Sequence, residues 1–357
     1  MDPEVLFDVA DGIGTITLNR PRALNALTMN MIAEMRTYLT AWMADDAIKA
    51  VVVKGAGDRA FCAGGDVRAV RESIINYDGD TNPSLAQEFF YEEYRLNHQI
   101  HTSTKPYIAL IDRVCMGGGV GLSVHGSFRV ATERTRVGMP ETTIGLFPDV
   151  GGAWFLSRLP GETGTYLALT GLPVTAGDCE RLGISTHVVA SDALEEIEAK
   201  LHAADLSGGA HAAVKLVLDA FVIAGGEAPT VDARAEIDNC FFADTVEEII
   251  VRLKASNSAF AAHALETLGS KSPSSLKVTL EQIRRGGRAT TFAETLTMEY
   301  RMSQHFARGN DFPEGVRAVL VDKDHKPNWS PSRLEDVSDA LVAGYFEPVS
   351  WRELTFD

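Results

Sequence analysis

The sequence predicts an α/β core followed by a mainly helical region. Three observations carry this prediction. β-Rich runs alternate with helical stretches up to about residue 190, a hairpin signal joins the first two runs, and nearly everything beyond Val189 has helical spacing. Val5-Leu6-Phe7 and Ile13–Leu18 flank Asp11-Gly12, a dipeptide suited to a tight reverse turn, so the opening pair is antiparallel. After Pro21, Met31, Met35, Leu39 and Trp42 recur at helical spacing behind Thr28, whose hydroxyl suits an N-cap, and a helix is expected over 28–43. Val51-Val52-Val53 and Tyr107–Ile111 read as short buried strands with a helical stretch, 85–100, between them. Strand, helix, strand at that spacing predicts parallel pairing through a crossover. Further helices are expected over 193–202, 210–223, 246–254, 274–284 and 292–306, with Ser207-Gly208-Gly209 and Gly225-Gly226 as breaks. The chain is therefore expected to divide into 1–190 and 191–357.

A length of 357 residues exceeds one domain of about 150 and fits a large domain with an appendage or two unequal ones. Hydrophobic residues at 45% and charged residues at 23% fall in the globular range and exclude a disordered chain. Lys plus Arg 33 against Asp plus Glu 49 leaves −16, the wrong sign for a phosphate-backbone binder, so nucleic acid is not an expected partner. No run approaches the roughly 18 apolar residues of a membrane span, so no membrane is expected either. Met1-Asp2-Pro3-Glu4 is acidic and leads straight into a strand-like run, unlike a signal or transit peptide, and a cytoplasmic location is expected. Cys62, Cys115, Cys179 and Cys240 form no C-x-x-C pair and read as reduced, mostly buried thiols.

Several familiar motifs fail. Gly119-x-Gly121-x-x-Val124 lacks the third glycine of a dinucleotide fingerprint, and no Gly-Lys dipeptide occurs, which removes a P-loop. Gly121-Leu122-Ser123-Val124-His125 departs from a nucleophile elbow at its last position, so Ser123 reads as a helix residue. His98 and His101 share a helical spacing, but nothing nearby completes a metal set, and no metal is expected.

What remains is a pair of glycine turns and a pair of acids. Phe61-Cys62-Ala63-Gly64-Gly65-Asp66 and Met116-Gly117-Gly118-Gly119-Val120-Gly121 each follow a predicted strand and precede a helical segment. Amides at a helix start are unpaired, and glycine lets a ligand oxygen approach them. Each turn alone reads as a tight connection; together they suit one carbonyl oxygen. Glu141 and Asp149 then stand in the otherwise apolar stretch from Met139 to Gly152, where burial raises carboxyl pKa values toward the range of proton transfer. On spacing alone, Glu141 is a first-turn residue after Pro140 and Asp149 an N-cap.

These residues carry a resemblance. Asn19-Arg20-Pro21 with Asn25-Ala26-Leu27, the Phe61 to Asp66 turn, Met116-Gly117-Gly118-Gly119 and Pro140-Glu141 occur in the order found in the crotonase (enoyl-CoA hydratase/isomerase) superfamily. The run from Gly118 to Gly126, Met139 to Thr142, Gly145 to Gly152, Leu296 to Arg301 and Asp311 to Ala318 resemble its 3-hydroxyisobutyryl-CoA hydrolase family over nearly the whole chain. The resemblance implies a crotonase-type ββα spiral core over 1–190, carrying the CoA and catalytic site, with 191–357 as a helical region packed on it. It implies an oxyanion hole from the Gly65 and Gly118 amides, and acyl-CoA contacts by Gly64, Gly65, Asp66, Gly117 and Gly118. Glu141 matches a catalytic glutamate, and Glu93 a substrate-contacting one. The other glutamate of the hydratases falls at Gly121, so their dyad is incomplete, whereas Asp149 stands where hydratases commonly carry glycine and the hydrolases aspartate. The implied reaction is thioester hydrolysis of a short 3-hydroxyacyl-CoA, as in valine breakdown, with no cofactor beyond the substrate's own CoA. Arg20, Arg22, Lys54, Arg59, Arg68 and Arg71 flank the first motifs and offer positive charge for the CoA phosphates. Superfamily members commonly assemble, so a homo-oligomer is expected by analogy. Two alternatives stand beside hydrolysis: alkene hydration or isomerisation on the same scaffold, and acyl-CoA binding without chemistry.

Overall fold

A computed structural model describes residues 2–77, 84–349 and 352–356. Its strands are β1 (Val5–Ala10), β2 (Ile13–Leu18), β3 (Ala50–Gly55), β4 (Ala60–Cys62), β5 (Tyr107–Ile111), β6 (Val114–Met116), β7 (Phe128–Thr132), β8 (Arg136–Gly138) and β9 (His187–Val189). The chain forms two compact units interleaved along the sequence. The first is Met1–Gly65, Leu96–Gly138 and Val174–Val231, and the second is Asp66–Arg95, Met139–Pro173 and Asp232–Asp357. This differs from the single division expected after residue 190. The reason is packing: the helices Leu194–Ala203 and Ala210–Asp219 bury Ile197, Leu201, Val214 and Leu218 with sheet residues of the first unit.

In the first unit a six-stranded sheet runs β1-β2-β3-β5-β7-β9. β1 and β2 pair antiparallel from Val5↔Leu18 to Ala10↔Ile13, and Asp11 and Gly12 supply the positive φ angles of the turn, 52° and 76°. The remaining pairs are parallel. One face places Ile13, Val52, Ile108, Leu110 and Val130 under those two helices. Side chains alternate along a strand, so Gly14 faces the other way, and a Cβ there would lie 2.5 Å from the Trp42 ring. The helix Met29–Ala44 presents that ring, capped by Thr28 Oγ1 accepting from the Met31 amide at 3.2 Å. The helix expected over 210–223 ends at Asp219, because Ile223 donates its amide to Val188 (2.8 Å) and Val222 bridges Val189. A second, parallel sheet, β4-β6-β8, uses strands of three residues, too short to leave a period in the sequence.

The second unit is helical. Pro273–Gly286 buries Leu276, Val278, Leu280 and Ile283. Its Gly286 is needed for close approach, since a Cβ would lie 2.5 Å from the Ala153 carbonyl oxygen. Phe292–Arg308 starts with a capping box between Thr291 and Glu294. Asp311–Val316 lies against the turn that carries Glu141: a Cβ on Gly315 would be 2.3 Å from the Ile144 carbonyl. Among the described residues no helix is long and apolar enough to cross a membrane.

Candidate active site

In the first unit, β4 runs into Ala63-Gly64-Gly65 and β6 into Gly117-Gly118. Gly64 (φ 110°) and Gly117 (φ 50°, ψ −120°) adopt backbone that a side chain disfavours. The two turns are neighbours, for a Cβ on Gly64 would sit 3.5 Å from the Met116 oxygen and 3.8 Å from the Gly118 nitrogen. The early Asn25 motif shapes the first of them. Asn25 is fully buried, donating through Nδ2 to the Ala56 (3.0 Å) and Ala60 (2.9 Å) carbonyls and accepting from the Arg20 amide at 3.0 Å. Leu27 donates to the Gly64 carbonyl at 2.9 Å. Gly117 is occupied, its amide donating to Gly138 (3.2 Å) and its carbonyl accepting from Val120 and Gly121. Among the described residues neither the Gly65 nor the Gly118 amide donates to another residue. Two peptide hydrogens are thus free for a substrate oxygen, one from each turn.

Gly119 sits just behind this pair, where a Cβ would be 2.4 Å from the Cys62 carbonyl oxygen. Gly119→Ala is expected to destabilise the protein by about 1–3 kcal/mol, because backbone must shift to admit the methyl. A thermal melt reads this directly; an unchanged midpoint would show the contact is slack. Ser123 ends the helix Gly118–Ser123 and spends its hydroxyl on the Gly119 and Val120 carbonyls, both at 3.1 Å, so it behaves as a helix residue.

The second unit holds Asp66 and the acids. Asp66 starts the helix Val67–Ile75, its carbonyl accepting from Val70 (3.3 Å) with no side-chain cap. Glu93 and Tyr94 come from the helix Leu85–His101. Glu141 opens the 3-10 turn Glu141–Ile144 after Pro140, as its position predicted, and Lys271 pins that turn through Thr143 Oγ1 at 2.6 Å. Asp149 differs from expectation. It caps no helix; its carboxylate accepts from the Tyr94 hydroxyl at 3.0 Å, while Gly151 takes the N-cap position.

Glu93, Glu141 and Asp149 are all buried, at 2%, 6% and 5% exposure, and their charges interact. Burial pushes Asp149 up to about 7, although the Tyr94 hydroxyl and its own amide pull the other way. Burial and then the Asp149 charge hold Glu141 and Glu93 well above the usual carboxylate range. The donors to Asp149 favour its charged form, and the Asp149 charge in turn disfavours ionisation of Glu141 and Glu93. Glu141 Oε2 and Glu93 Oε1 are buried and have no hydrogen-bond partner among the described residues. Buried acids whose charges act on one another are suited to hold and release a proton, the property a base or nucleophile in this position needs.

Sequence reasoning missed two members of this environment. Tyr94 stood beside Glu93 without a role, and Glu299 lay in the 296–301 motif without one. The available signal was an acid at helical spacing with Leu296, Tyr300 and Ser303, all buried. Of the basic residues near the first motifs, Arg20 pairs with Glu4 (3.1 Å), Lys54 with Glu198, and Arg71 donates to the Pro313 carbonyl (2.8 Å), so these are committed within the fold.

The two glycine turns follow strands of one parallel sheet, the order the sequence motifs led one to expect. The chain belongs to the enoyl-CoA hydratase/isomerase family, whose profile matches residues 13–346. It is 49% identical to the mitochondrial 3-hydroxyisobutyryl-CoA hydrolase of Danio rerio, over 98% of this chain and 91% of that one. The Homo sapiens enzyme of the same name is 45% identical, over 99% and 91%. Among solved structures, a carnitinyl-CoA dehydratase from Mycobacterium thermoresistibile superposes with a TM-score of 0.92 at 40% identity, covering 100% of this chain and 99% of that one. An enoyl-CoA hydratase from Rhodobacter sphaeroides gives 0.90 at 37%, covering 99% and 100%. The crotonase fold is therefore shown. The cytoplasmic location expected from the amino terminus is overturned, since these hydrolases are mitochondrial; an acidic opening stretch reports on those residues and not on a compartment.

Proposed function

We infer that the protein hydrolyses the thioester of 3-hydroxyisobutyryl-CoA, or a closely similar short 3-hydroxyacyl-CoA, to the free hydroxy acid and coenzyme A. The observation that carries this reading is the buried Glu141–Asp149 pair, in which the Asp149 charge acts on Glu141, in a chain whose resemblance to the family puts Gly121 at the place of the hydratases' other glutamate. Near full-length identity of 45% and 49% to hydrolases of that name supports it. The thioester oxygen accepts from the Gly65 and Gly118 amides, which lowers the barrier as negative charge grows on it; one such donor is typically worth about 2.7–4 kcal/mol. Gly64, Gly117 and Asp66 shape the acyl-CoA contacts around that oxygen. Glu141 transfers its proton toward Asp149 and then either activates water or attacks the carbonyl to form an anhydride that water hydrolyses; in both routes the C–S bond breaks and the CoA sulfur takes up the proton held at Asp149. Quenching during turnover separates these routes, since only the second leaves an acylated Glu141 peptide. Asp149 holds the substrate hydroxyl and Glu93 contacts the acyl group. No cofactor is required beyond the CoA of the substrate, the product fits a step of valine catabolism, and the working form is a homo-oligomer.

The solved relatives named as a dehydratase and a hydratase favour a second reading, addition of water to an enoyl-CoA. A free-thiol assay with 3-hydroxyisobutyryl-CoA, run beside crotonyl-CoA, separates the two. Thiol release from the first with little change in the second is expected. Loss of the enoyl absorbance without thiol would replace hydrolysis by hydration, and no turnover of either would favour binding alone.

A further inference from the structure

The short helix Gly152–Leu156 begins three residues after Asp149, and its first amides need acceptors. An aspartate two residues before the cap can supply one by folding its carboxylate onto the amide two residues on, that of Gly151. Here that does not happen. The Asp149 carbonyl takes the Gly152 amide at 2.8 Å, and the Gly151 and Ala153 amides go instead to Glu299, which reaches in from the helix Phe292–Arg308. Glu299 Oε2 accepts from Gly151 at 2.6 Å and Oε1 from Ala153 at 2.8 Å. Gln282 completes the clamp, its Nε2 donating to Glu299 Oε1 (3.0 Å) and to the Pro148 carbonyl (2.7 Å), so the chain is held on both sides of Asp149. The segment between is not relaxed: Val150 has φ 52° and Gly151 φ 83°. All three side chains are fully or nearly buried.

The geometry points to Glu299 as a positioning residue for Asp149: by occupying the Gly151 amide that an aspartate here would otherwise take, together with that of Ala153, it frees the Asp149 carboxylate to face Tyr94 and the hydroxyl of the acyl group. This rests on the assignment of Asp149 to the substrate hydroxyl made above. A second buried acid is an expensive way to satisfy two amides. Burial pushes Glu299 up to about 8 against the pull of its donors, and the Asp149 charge adds to the rise. A fold needing only a helix cap has a neutral side chain available; a fold needing Asp149 turned away from its own helix needs an acceptor for both amides at once.

The test uses two thioether analogues, of 3-hydroxyisobutyryl-CoA and of isobutyryl-CoA, which bind but cannot be hydrolysed. Their dissociation constants are measured by calorimetry for the protein and for Glu299→Gln, with thiol release from the true thioester followed in parallel. Gln presents one acceptor and turns an NH₂ group toward an amide hydrogen, so the clamp is broken without a change in size. The preference for the hydroxylated analogue is expected to fall roughly 10- to 100-fold, the size of one hydrogen bond to a charged group, while affinity for isobutyryl thioether changes little. A merely structural residue would weaken both analogues together, and that result, or an unchanged preference, overturns the inference. So does an unmodified protein that shows no preference. If Glu299→Gln does not fold, Gln282→Met loosens the same clamp from its other partner and must reduce the preference in the same direction; an unchanged preference there also overturns it. Preference without thiol release in the unmodified protein would remove the hydrolase reading and leave the positioning role standing.

Discussion

Glu141→Gln is expected to lower thiol release from 3-hydroxyisobutyryl-CoA by about two to four orders of magnitude while making the protein more stable at pH 8. The catalytic loss follows from removing the group that accepts the water proton or attacks the acyl carbon. The stability gain follows from linkage. The Glu141 carboxyl is held well above its ordinary value by burial and by the Asp149 charge. In the pH range above that ordinary value, about 4.5, the folded protein keeps a proton that the unfolded chain releases. Stability is therefore lost as pH rises through this range. Glutamine cannot ionise and escapes the loss, so the difference in melting midpoint between variant and parent should be near zero at pH 4 and grow toward pH 8. Equal midpoints at both pH values would mean that the acid is not confined as described. Substantial residual thiol release in a folded variant would remove Glu141 from the chemistry.

Asp149→Asn is expected to cost about 100-fold or more in kcat/KM for the hydroxylated substrate and a smaller factor, that of the lost proton acceptor alone, for isobutyryl-CoA. A site built to bond a hydroxyl discriminates strongly against analogues without one, and the discrimination goes when the acceptor charge is lost. Asparagine can still accept from Tyr94 Oη, so the fold is preserved and the loss reports on chemistry. Parallel losses on both substrates would show that Asp149 serves proton movement and not hydroxyl recognition. Unchanged rates would exclude it from both roles.

Why some of this was legible in the sequence and some was not has physical reasons. The helix behind Thr28 was readable because its apolar residues form one stripe and its cap is local; the Thr28–Met31 bond confirms it. Thr163–Thr170 was not, because every one of its residues is buried and no polar face marks the period. β4, β6 and β8 are each three residues long, so the strands that carry the glycine turns were visible only through the turns themselves. The free amides of Gly65 and Gly118 follow from local backbone, which glycine spacing does announce. The fate of Asp149 does not. Its local context reads as an N-cap, and it is turned to Tyr94 because an acid 150 residues away in the chain takes the Gly151 amide it would otherwise have taken. Long-range competition for an acceptor leaves no trace in spacing.

The acid cluster is the heart of the account, and its titration tests it most directly. Burial sets Asp149 at about 7, far above its ordinary 3.8, so the cluster gains its working charge as pH rises through neutrality. Thiol release from 3-hydroxyisobutyryl-CoA, followed as kcat/KM from pH 5 to 9, should climb along an acid limb centred near 7, and that limb should disappear in Asp149→Asn. A rate that is flat down to pH 5, or a limb that survives unchanged in the variant, would contradict it.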